Sequence, residues 1–205
     1  HPHEEQYPAM AVELGIDPAT GEPIEFDIAD RKFAAAYFSL LHHPEEANGL
    51  DFWWLDWQQG KRAKMRGLDP LWWLNHLHFC DMQRDGVRRP FIFSRWGGLG
   101  NHRYPIGFSG DTVVSWESLA FQPFFTATAA NVGYGWWSHD IGGHMWGVEE
   151  AELSLRWLQY GVFSPILRLH STNNPYQARR PWAWGPAVEE PARAQAHRHH
   201  GTEAG

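Results

Sequence analysis

The stretch Gly49–Gly60, GLDFWWLDWQQG, contains a short apolar run that ends in a carboxylate, Asp56. The run Leu50–Leu55 has the length of a β-strand and is almost continuously apolar, which is typical of a strand buried on both faces of a sheet. A charged residue directly after such a strand can begin a turn or cap a helix. It can also be a functional group at the edge of the sheet, so its neighbours in the chain decide the interpretation.

Polar residues also follow the other predicted strands. In a parallel (β/α) barrel the carboxyl ends of the strands form the active-site face, so a repeated pattern of this kind favours catalysis or ligand binding. The further predicted strands are Phe91–Phe93, Tyr104–Phe108, Tyr134–Trp137 and Phe163–Leu169. The residues that follow them are Ser94 and Arg95, Gly110 and Asp111, His139 and Asp140, and His170.

Helices are predicted between most of these strands. Asp30 and Asp69 are candidate N-caps, and Pro44 is expected to end the first long helix. Strands that alternate with helices predict an α/β fold with parallel strands. The predicted helices are Asp30–His42, Leu71–Met82, Ser115–Ala130 and Glu149–Tyr160. Residues 187–205 carry no apolar period and are predicted to form a loosely ordered tail.

Length, composition and charge exclude several classes of protein. With 205 residues, 43% of them hydrophobic and 20% charged, the chain is expected to fold as one domain, or one and a half, with an ordinary core. A net charge of -7 argues against nucleic acid as the main partner. No apolar run approaches the roughly 18 residues of a membrane span. The chain opens without Met and is expected to be a piece of a longer protein, which leaves compartment and oligomeric state open.

The content of tryptophan and carboxylates fits carbohydrate chemistry. The 13 tryptophans can fill a core or offer flat faces to sugar rings, and composition leaves both roles open. Two carboxyl groups on one glycosidic bond can cleave it, one as nucleophile and the other as proton donor. Arginine and histidine side chains add hydrogen bonds to sugar hydroxyls. The strand-end residues therefore favour a glycoside hydrolase.

Four segments, in this order, resemble consecutive strand-end motifs of glycoside hydrolase family 31, the retaining α-glucosidase and α-xylosidase family. They are GLDFWWLDWQQG, RPFIFSRWGGLGNHRYPIGFSGDT, GYGWWSHDIGGH and SPILRLHS. The resemblance extends from Gly49 to about Gly185. It implies an incomplete TIM-type (β/α)8 barrel, about strands four to eight with their helices, over residues 1–186.

The resemblance also implies roles for particular residues. Asp56, at the end of the fourth barrel strand, matches the nucleophile, and Asp111, after the sixth, matches the general acid/base. Asp51 is then structural. The implied substrate is an oligosaccharide or α-glycoside, and no cofactor is implied. The residues implied to shape or hydrogen-bond the cleaved sugar are Trp54, Arg95, Phe108, Asp140, His144 and His170.

Several alternatives stay open at the level of sequence. Trp57-Gln58-Gln59 stands where many family members have Met-Asn-Glu, so α-xylosidase, α-galactosidase and transglycosylase compete with the favoured α-glucosidase. A barrel fragment that binds carbohydrate without cleaving it is a further alternative. Among the 13 histidines, a structural or incidental role is expected for His42, His43, His76, His78 and those of the tail, His197, His199 and His200, and no metal site is predicted. His139 and His144, on either side of Asp140, leave a metal site there as a minor alternative.

Overall fold

A computed structural model of the chain describes residues 1–56, 60, 63–95, 97–173 and 180–201. The chain divides into two compact units, His1–Pro105 and Ile106–Gly205. Each unit combines helices with parallel strands, which confirms the predicted α/β class. Among the described residues, no helix has both the length and the apolar character that a membrane span requires.

The first unit is built on one pair of parallel strands. Strand β1 (Trp53–Leu55) pairs in parallel with β2 (Ile92–Arg95), with Leu55 opposite Ser94. Because parallel strands need a crossover connection, the chain between them contains helix α4 (Pro70–Met82). Further elements are helices α1 (Tyr7–Leu14), α2 (Arg31–Ala36) and α3 (His43–Ala47), with 3-10 turns at Pro18–Thr20 and Asn101–Arg103.

Side-chain caps start two helices where the sequence predicted them. The carboxylate of Asp30 accepts a hydrogen bond from the Phe33 N–H at 2.7 Å, and α2 begins at the next residue. The carboxylate of Asp69 accepts one from the Trp72 N–H at 2.8 Å, and Pro70 is the first residue of α4. Both starts are confirmed because a cap involves residues only three positions apart.

The predicted end of the first helix at Pro44 is wrong. Helix α2 continues through a π-helical segment, Tyr37–His42, into α3, and Pro44 lies in the first turn of α3. Proline is tolerated at that position because the first N–H groups of a helix have no intrahelical partner. The wider π turn lets the helical path continue, and apolar spacing in the sequence does not reveal such a turn.

Strand β1 has one buried face and one open face, which differs from the predicted strand buried on both faces. Leu55 packs in the core of the first unit with Leu74 of α4 and Ile92 of β2. Trp54 lies on the opposite face and is 40% exposed. Its ring packs edge-on against Phe93 of β2, with 4.7 Å between the ring centroids.

The second unit contains two pairs of short parallel strands. Strand β3 (Pro105–Phe108), which begins at the last residue of the first unit, pairs with β5 (Trp137–Ser138). Strand β4 (Val113–Val114) pairs with β6 (Met145–Gly147). The helices are α5 (Trp116–Asn131), α6 (Ala151–Val162) and α7 (Pro186–Gly201), with a 3-10 turn at Pro181–Trp184.

The predicted strand Phe163–Leu169 is reduced to two isolated parallel bridges. Ser138 at the end of β5 pairs with Ile166, and Ile141 pairs with Leu169. The segment therefore runs beside the end of β5 in the expected direction, without a regular strand of its own.

Residues predicted to form a loosely ordered tail from 187 are helical as far as Gly201. Helix α7 packs on α6, and Val188 is 1% exposed in a core that contains Leu153 and Trp157. The tail has too few apolar residues to give a recognisable period. Val188 and Ala192 nevertheless pack on the core to which α6 contributes, and the sequence of the tail does not reveal that partner surface. The division of the chain into 1–186 and 187–205 stays a prediction.

Gly107 in β3 allows a close approach of two aromatic rings. A Cβ at this position would lie 2.6 Å from Cζ3 of Trp137 and 2.8 Å from Cε1 of Tyr134. Both distances are shorter than van der Waals contact, so any larger residue would push the rings away from β3.

We predict that Gly107→Ala lowers the free energy of unfolding by about 2 kcal/mol, because the added methyl group overpacks this contact. Urea denaturation followed by circular dichroism measures the change. Gly135→Ala is the matched control, since a Cβ there meets no heavy atom within 4 Å. Equal stabilities for the two variants would contradict the prediction.

Two buried histidines of the first unit should make its stability depend on pH. The rings of His42 and His78 lie 4.7 Å apart between centroids, and both side chains are buried. Burial lowers the pKa of His42, and it lowers the pKa of His78 well below the usual histidine range, with the charge of His42 adding to the effect. Both imidazoles are therefore neutral in the folded protein near neutral pH.

We predict that the free energy of unfolding decreases as the pH falls below about 6.5, because the unfolded chain then binds protons that the folded chain excludes. Above that pH the stabilisation is fully present. His78→Leu should flatten the decrease between about pH 7 and about pH 5, as measured by urea denaturation across that range. An unchanged slope in this variant would contradict the assignment.

Candidate active site

The end of the β1–β2 pair brings two predicted site residues together. Because Leu55 lies opposite Ser94, the next residue, Asp56, lies beside Arg95. Arg95 donates a hydrogen bond from Nε to Oδ1 of Asp56. The guanidinium group is mostly buried, whereas about a third of the carboxylate side chain, 32%, stays accessible. A carboxylate held by a cation and open to solvent is suited to contact a substrate.

Trp54 precedes this pair by two residues on the face of β1 opposite Leu55, and it is 40% exposed. Asp51 lies before β1 and is exposed, so it occupies a different environment from Asp56. The segment Trp57-Gln58-Gln59, which departs from the common family pattern, lies outside the described residues.

A buried ion pair anchors the corresponding region of the second unit. Arg168 donates from Nη2 to Oδ1 of Asp140 at 2.6 Å and from Nε to Oγ of Ser138 at 3.2 Å. The guanidinium carbon also lies 5.5 Å from the centroid of the Phe108 ring. Asp140 is buried, so this charge requires the compensation that Arg168 provides. Sequence reasoning missed Arg168, although it lies two residues before His170 in the SPILRLHS motif.

Phe108 is placed differently from the other predicted sugar contacts. Its side chain is buried beneath Arg168. In this position Phe108 supports the guanidinium group, and its predicted contact with the sugar stays a prediction.

Backbone hydrogen bonds align the loop after β5 with the loop that contains His170. The Ile141 N–H donates to the Arg168 carbonyl at 3.2 Å, and the Thr172 N–H donates to the His144 carbonyl at 3.0 Å. This alignment stacks the rings of His144 and His170, with centroids 4.5 Å apart and an interplanar angle of 17°. Burial lowers the pKa of His170, and Arg168 and His144 add to this effect while Asp140 and Asp111 oppose it.

Asp111 joins the same cluster through His144. Nε2 of His144 lies 4.0 Å from Oδ1 of Asp111. The His144 N–H also donates to the carbonyl of Thr112 at 2.7 Å, which ties the two loops together. The second unit therefore brings Asp111, Asp140, His144 and His170 into one group. Their predicted roles at a site stay predictions.

His139, the residue before Asp140, is buried and makes hydrogen bonds to helices α5 and α6. Nδ1 of His139 lies 2.7 Å from Oε1 of Gln122, whose amide nitrogen donates to the Ser118 carbonyl. Nδ1 is therefore the protonated nitrogen, and Nε2 accepts from the hydroxyl of Thr126 or Tyr160. Burial lowers the pKa of His139 to about 4, and the charge of Arg168 contributes. The sequence placed His139 at a strand end but did not reveal this network.

Asp140, His144 and His170 also satisfy the first requirement of a metal site. Each offers a ligand atom, and these atoms lie within 4.8 Å of one another. However, the lone pair of an imidazole nitrogen lies in the plane of its ring, and the two rings are stacked at 17°. Nearly parallel planes cannot both contain one ion, so binding would require one ring to rotate. The prediction of no metal site stays a prediction.

The described geometry can be compared with known protein families. The family described as "Glycosyl hydrolases family 31 TIM-barrel domain" matches residues 13–200. The chain belongs to glycosyl hydrolase family 31. The match confirms the resemblance inferred from the four strand-end motifs, and it covers both compact units of this family 31 chain.

Curated relatives of the family 31 chain are α-glycosidases. Human neutral alpha-glucosidase C is 34% identical over 100 residues, which are 49% of this chain and 11% of the relative. The 1,3-alpha-isomaltosidase of Kribbella flavida is 36% identical over 110 residues, 51% of this chain and 15% of the relative. Alpha-xylosidase A of Aspergillus niger is 34% identical over 110 residues, 45% of this chain and 15% of the relative. The chain thus spans a small part of each relative's length.

Solved structures of family 31 enzymes have the same fold over most of this chain. A Flavobacterium johnsoniae dextranase complexed with glucose matches with a TM-score of 0.71 and 23% identity, over 84% of this chain and 24% of the dextranase. A xylosidase from Aspergillus niger matches with a TM-score of 0.69 and 20% identity, over 85% of this chain and 32% of the xylosidase. At these identities the likeness concerns the fold.

We predict that Arg168→Met lowers the free energy of unfolding by about 3 kcal/mol, because it leaves the buried charge of Asp140 uncompensated. The double variant Asp140→Asn, Arg168→Met should lose less than the sum of the two single variants. Urea denaturation of the four proteins measures this coupling.

Arg156→Met is the matched control for the loss of an arginine. Arg156 pairs with Glu152 on the surface of α6, with 52% of each side chain exposed. An exposed pair of this kind contributes less than about 1 kcal/mol. If Arg168→Met were no more destabilising than Arg156→Met, the role assigned to the buried pair would be wrong.

Proposed function

We propose that this chain carries the catalytic residues of a retaining α-glycosidase that removes terminal α-linked glucose through a covalent glycosyl-Asp56 intermediate. The observation that carries the proposal is the pairing of Asp56 with Arg95 at the end of β1. A nucleophilic carboxylate must be negatively charged, and a neighbouring guanidinium group stabilises that charge. The family motif assigns the nucleophile to the same residue.

In the first step, Asp56 attacks the anomeric carbon while Asp111 gives a proton to the oxygen of the leaving group. The glycosidic bond breaks, and an ester bond forms between the sugar and Asp56. In the second step, Asp111 takes a proton from a water molecule, which attacks the anomeric carbon and releases Asp56. Two inversions retain the α configuration.

The remaining residues of the cluster are proposed to hold the sugar that is cleaved. Asp140 and His170 offer an acceptor and an imidazole for sugar hydroxyls, and Arg168 keeps Asp140 in position. His144 lies between Asp111 and His170, so it can orient the proton donor as well as contact the sugar. On the first unit, Trp54, which is 40% exposed, offers an apolar surface for a sugar ring.

The names of the relatives support α-linked glucose as the substrate class. Neutral alpha-glucosidase C, 1,3-alpha-isomaltosidase and "Probable glucan 1,3-alpha-glucosidase" are among these names, and alpha-xylosidases are a second group. We therefore propose glucose over xylose as the cleaved sugar, with an oligosaccharide or other α-glucoside as the substrate.

We further propose that the chain supplies strands four to eight of the family barrel. In this assignment β1, β2, β3 and β5 are strands four to seven, and the bridges formed by Ile166 and Leu169 mark the eighth. The parallel pairing within each unit supports the assignment. Strands β4 and β6 then lie outside the barrel sheet and pair with each other in the loops that carry Asp111 and His144.

Mass spectrometry with an activated fluorosugar of α-glucosyl configuration tests the proposed function. The sugar reacts as a substrate in the first step but slows the second, so the intermediate accumulates. We expect the intact protein to gain one glycosyl group, and peptide mapping should locate it on Asp56.

Asp56→Asn should give no adduct, because an amide is a poor nucleophile. Asp51→Asn, which changes an exposed carboxylate five residues earlier, is the matched control and should still react. An adduct on Asp111 or Asp140 would overturn the assignment of roles. A protein that binds glucose oligosaccharides but forms no adduct would instead be a non-catalytic carbohydrate-binding protein.

A further inference from the structure

The loop after Asp140 contains an unusual backbone conformation at Trp146. Among the described residues, Trp146 is the only one other than glycine with a positive φ, 51°. A side chain with a Cβ crowds its own carbonyl oxygen in this left-handed region, so residues of this kind rarely occupy it. Such strain persists only where the surrounding structure imposes it, and it is concentrated at functional sites.

A β-bulge imposes the conformation. Val113 pairs with Met145 and Val114 pairs with Gly147, so Trp146 is the extra residue between two consecutive pairs. Gly147 itself has a φ of 80°, and a Cβ there would lie 1.8 Å from the carbonyl oxygen of Val114. The bulge therefore depends on a glycine that lets β6 approach β4 closely. Bulges of this type redirect a side chain and are common beside active sites.

The bulge lies next to the proposed proton donor. Strand β4 begins two residues after Asp111, and His144, which lies 4.0 Å from Asp111, precedes Trp146 by two residues. The His144 N–H bonds to the carbonyl of Thr112, so the start of β6 is fixed against the residue that follows Asp111. Trp146 is thus held by the same two segments that position the general acid/base.

The indole of Trp146 contributes little to the packing of the second unit, since its side chain is 70% exposed. Other tryptophans in this unit, such as Trp137 and Trp157, are fully buried. An aromatic ring that is fixed by a strained backbone but left open to solvent is suited to stack on a planar or apolar surface of a ligand.

We propose that Trp146 is a stacking platform for the leaving-group sugar, the ring on the far side of the bond that Asp111 protonates; this inference rests on the proposed function. The general acid contacts the oxygen that joins the cleaved sugar to its leaving group. Trp146 lies on β6, which pairs with β4 two residues after the acid, and this pairing holds Trp146 near the residue that contacts that oxygen. Asp140 and His170 are assigned to the cleaved sugar, which leaves the exposed indole for its neighbour.

The test compares two substrates of the whole protein that share the cleaved glucose and differ only in the leaving side. Isomaltose has a glucose ring as the leaving group, whereas α-glucosyl fluoride has a single atom that cannot stack. In Trp146→Ala, the ratio of kcat/KM for isomaltose to kcat/KM for the fluoride should fall about tenfold, the size expected for one lost aromatic contact. Trp146→Tyr, which keeps an aromatic ring, should recover most of the ratio.

Trp136→Ala is the matched control. Trp136 is 63% exposed and lies immediately before β5, whereas the proposed site residues follow the end of that strand. It should leave the ratio unchanged. Trp146→Gly is a second variant without the ring, and it relieves the strain because glycine adopts positive φ readily. It should reproduce the effect of Trp146→Ala if that effect comes from the ring.

The outcomes separate this inference from the proposed function. An unchanged ratio in Trp146→Ala and Trp146→Gly, or an equal loss on both substrates, would overturn the platform role. If the wild-type protein cleaves neither substrate, saturation-transfer NMR tests the platform role by measuring which ring of isomaltose contacts the protein. If the reducing-end ring contacts the wild-type protein but not Trp146→Ala, the platform role is supported although the catalytic proposal fails. Equal contacts in both proteins, or no binding, would overturn the platform as well.

Discussion

Parallel pairing of short strands is the constraint on which the rest of the structure depends. Parallel strands cannot be joined by a tight turn, so helix α4 separates β1 from β2 along the chain and α5 separates β3 from β5. The same pairing places the carboxyl ends of both strands at one edge. In the first unit this edge brings Asp56 beside Arg95. In the second unit it gathers the residues after β5 with the 168–170 segment.

The buried carboxylate at the edge of the second unit requires a partner. Burying an isolated carboxylate is costly, and Asp140 is compensated by Arg168, which in turn is held by Ser138 and lies over Phe108. His139 is buried in its neutral form, and hydrogen bonds to uncharged side chains of α5 and α6 satisfy both of its ring nitrogens. A rigid polar site inside an apolar fold thus requires a layer of residues that never touch the substrate.

The abundance of tryptophan has two physical explanations in this molecule. Trp137 and Trp157 are fully buried and fill the core of the second unit. Trp54 and Trp146 instead present large exposed ring surfaces next to the proposed catalytic carboxylates, one on the open face of a strand and the other on a bulge. Composition alone left the core and platform roles equally open. Burial separates them, because the same side chain serves either purpose depending on what covers it.

The sequence by itself determined the features that depend on neighbouring residues. The caps at Asp30 and Asp69 act over three positions, and the polar residues that follow each apolar run were visible without coordinates, as were the family motifs that they form. The tertiary structure decided what depends on distant partners. Arg168 and Asp140 are 28 residues apart, and Val188, near the start of the helix from Pro186, is buried in a core with residues of α6. Only packing across the fold creates those contacts, so no local pattern in the chain could reveal them.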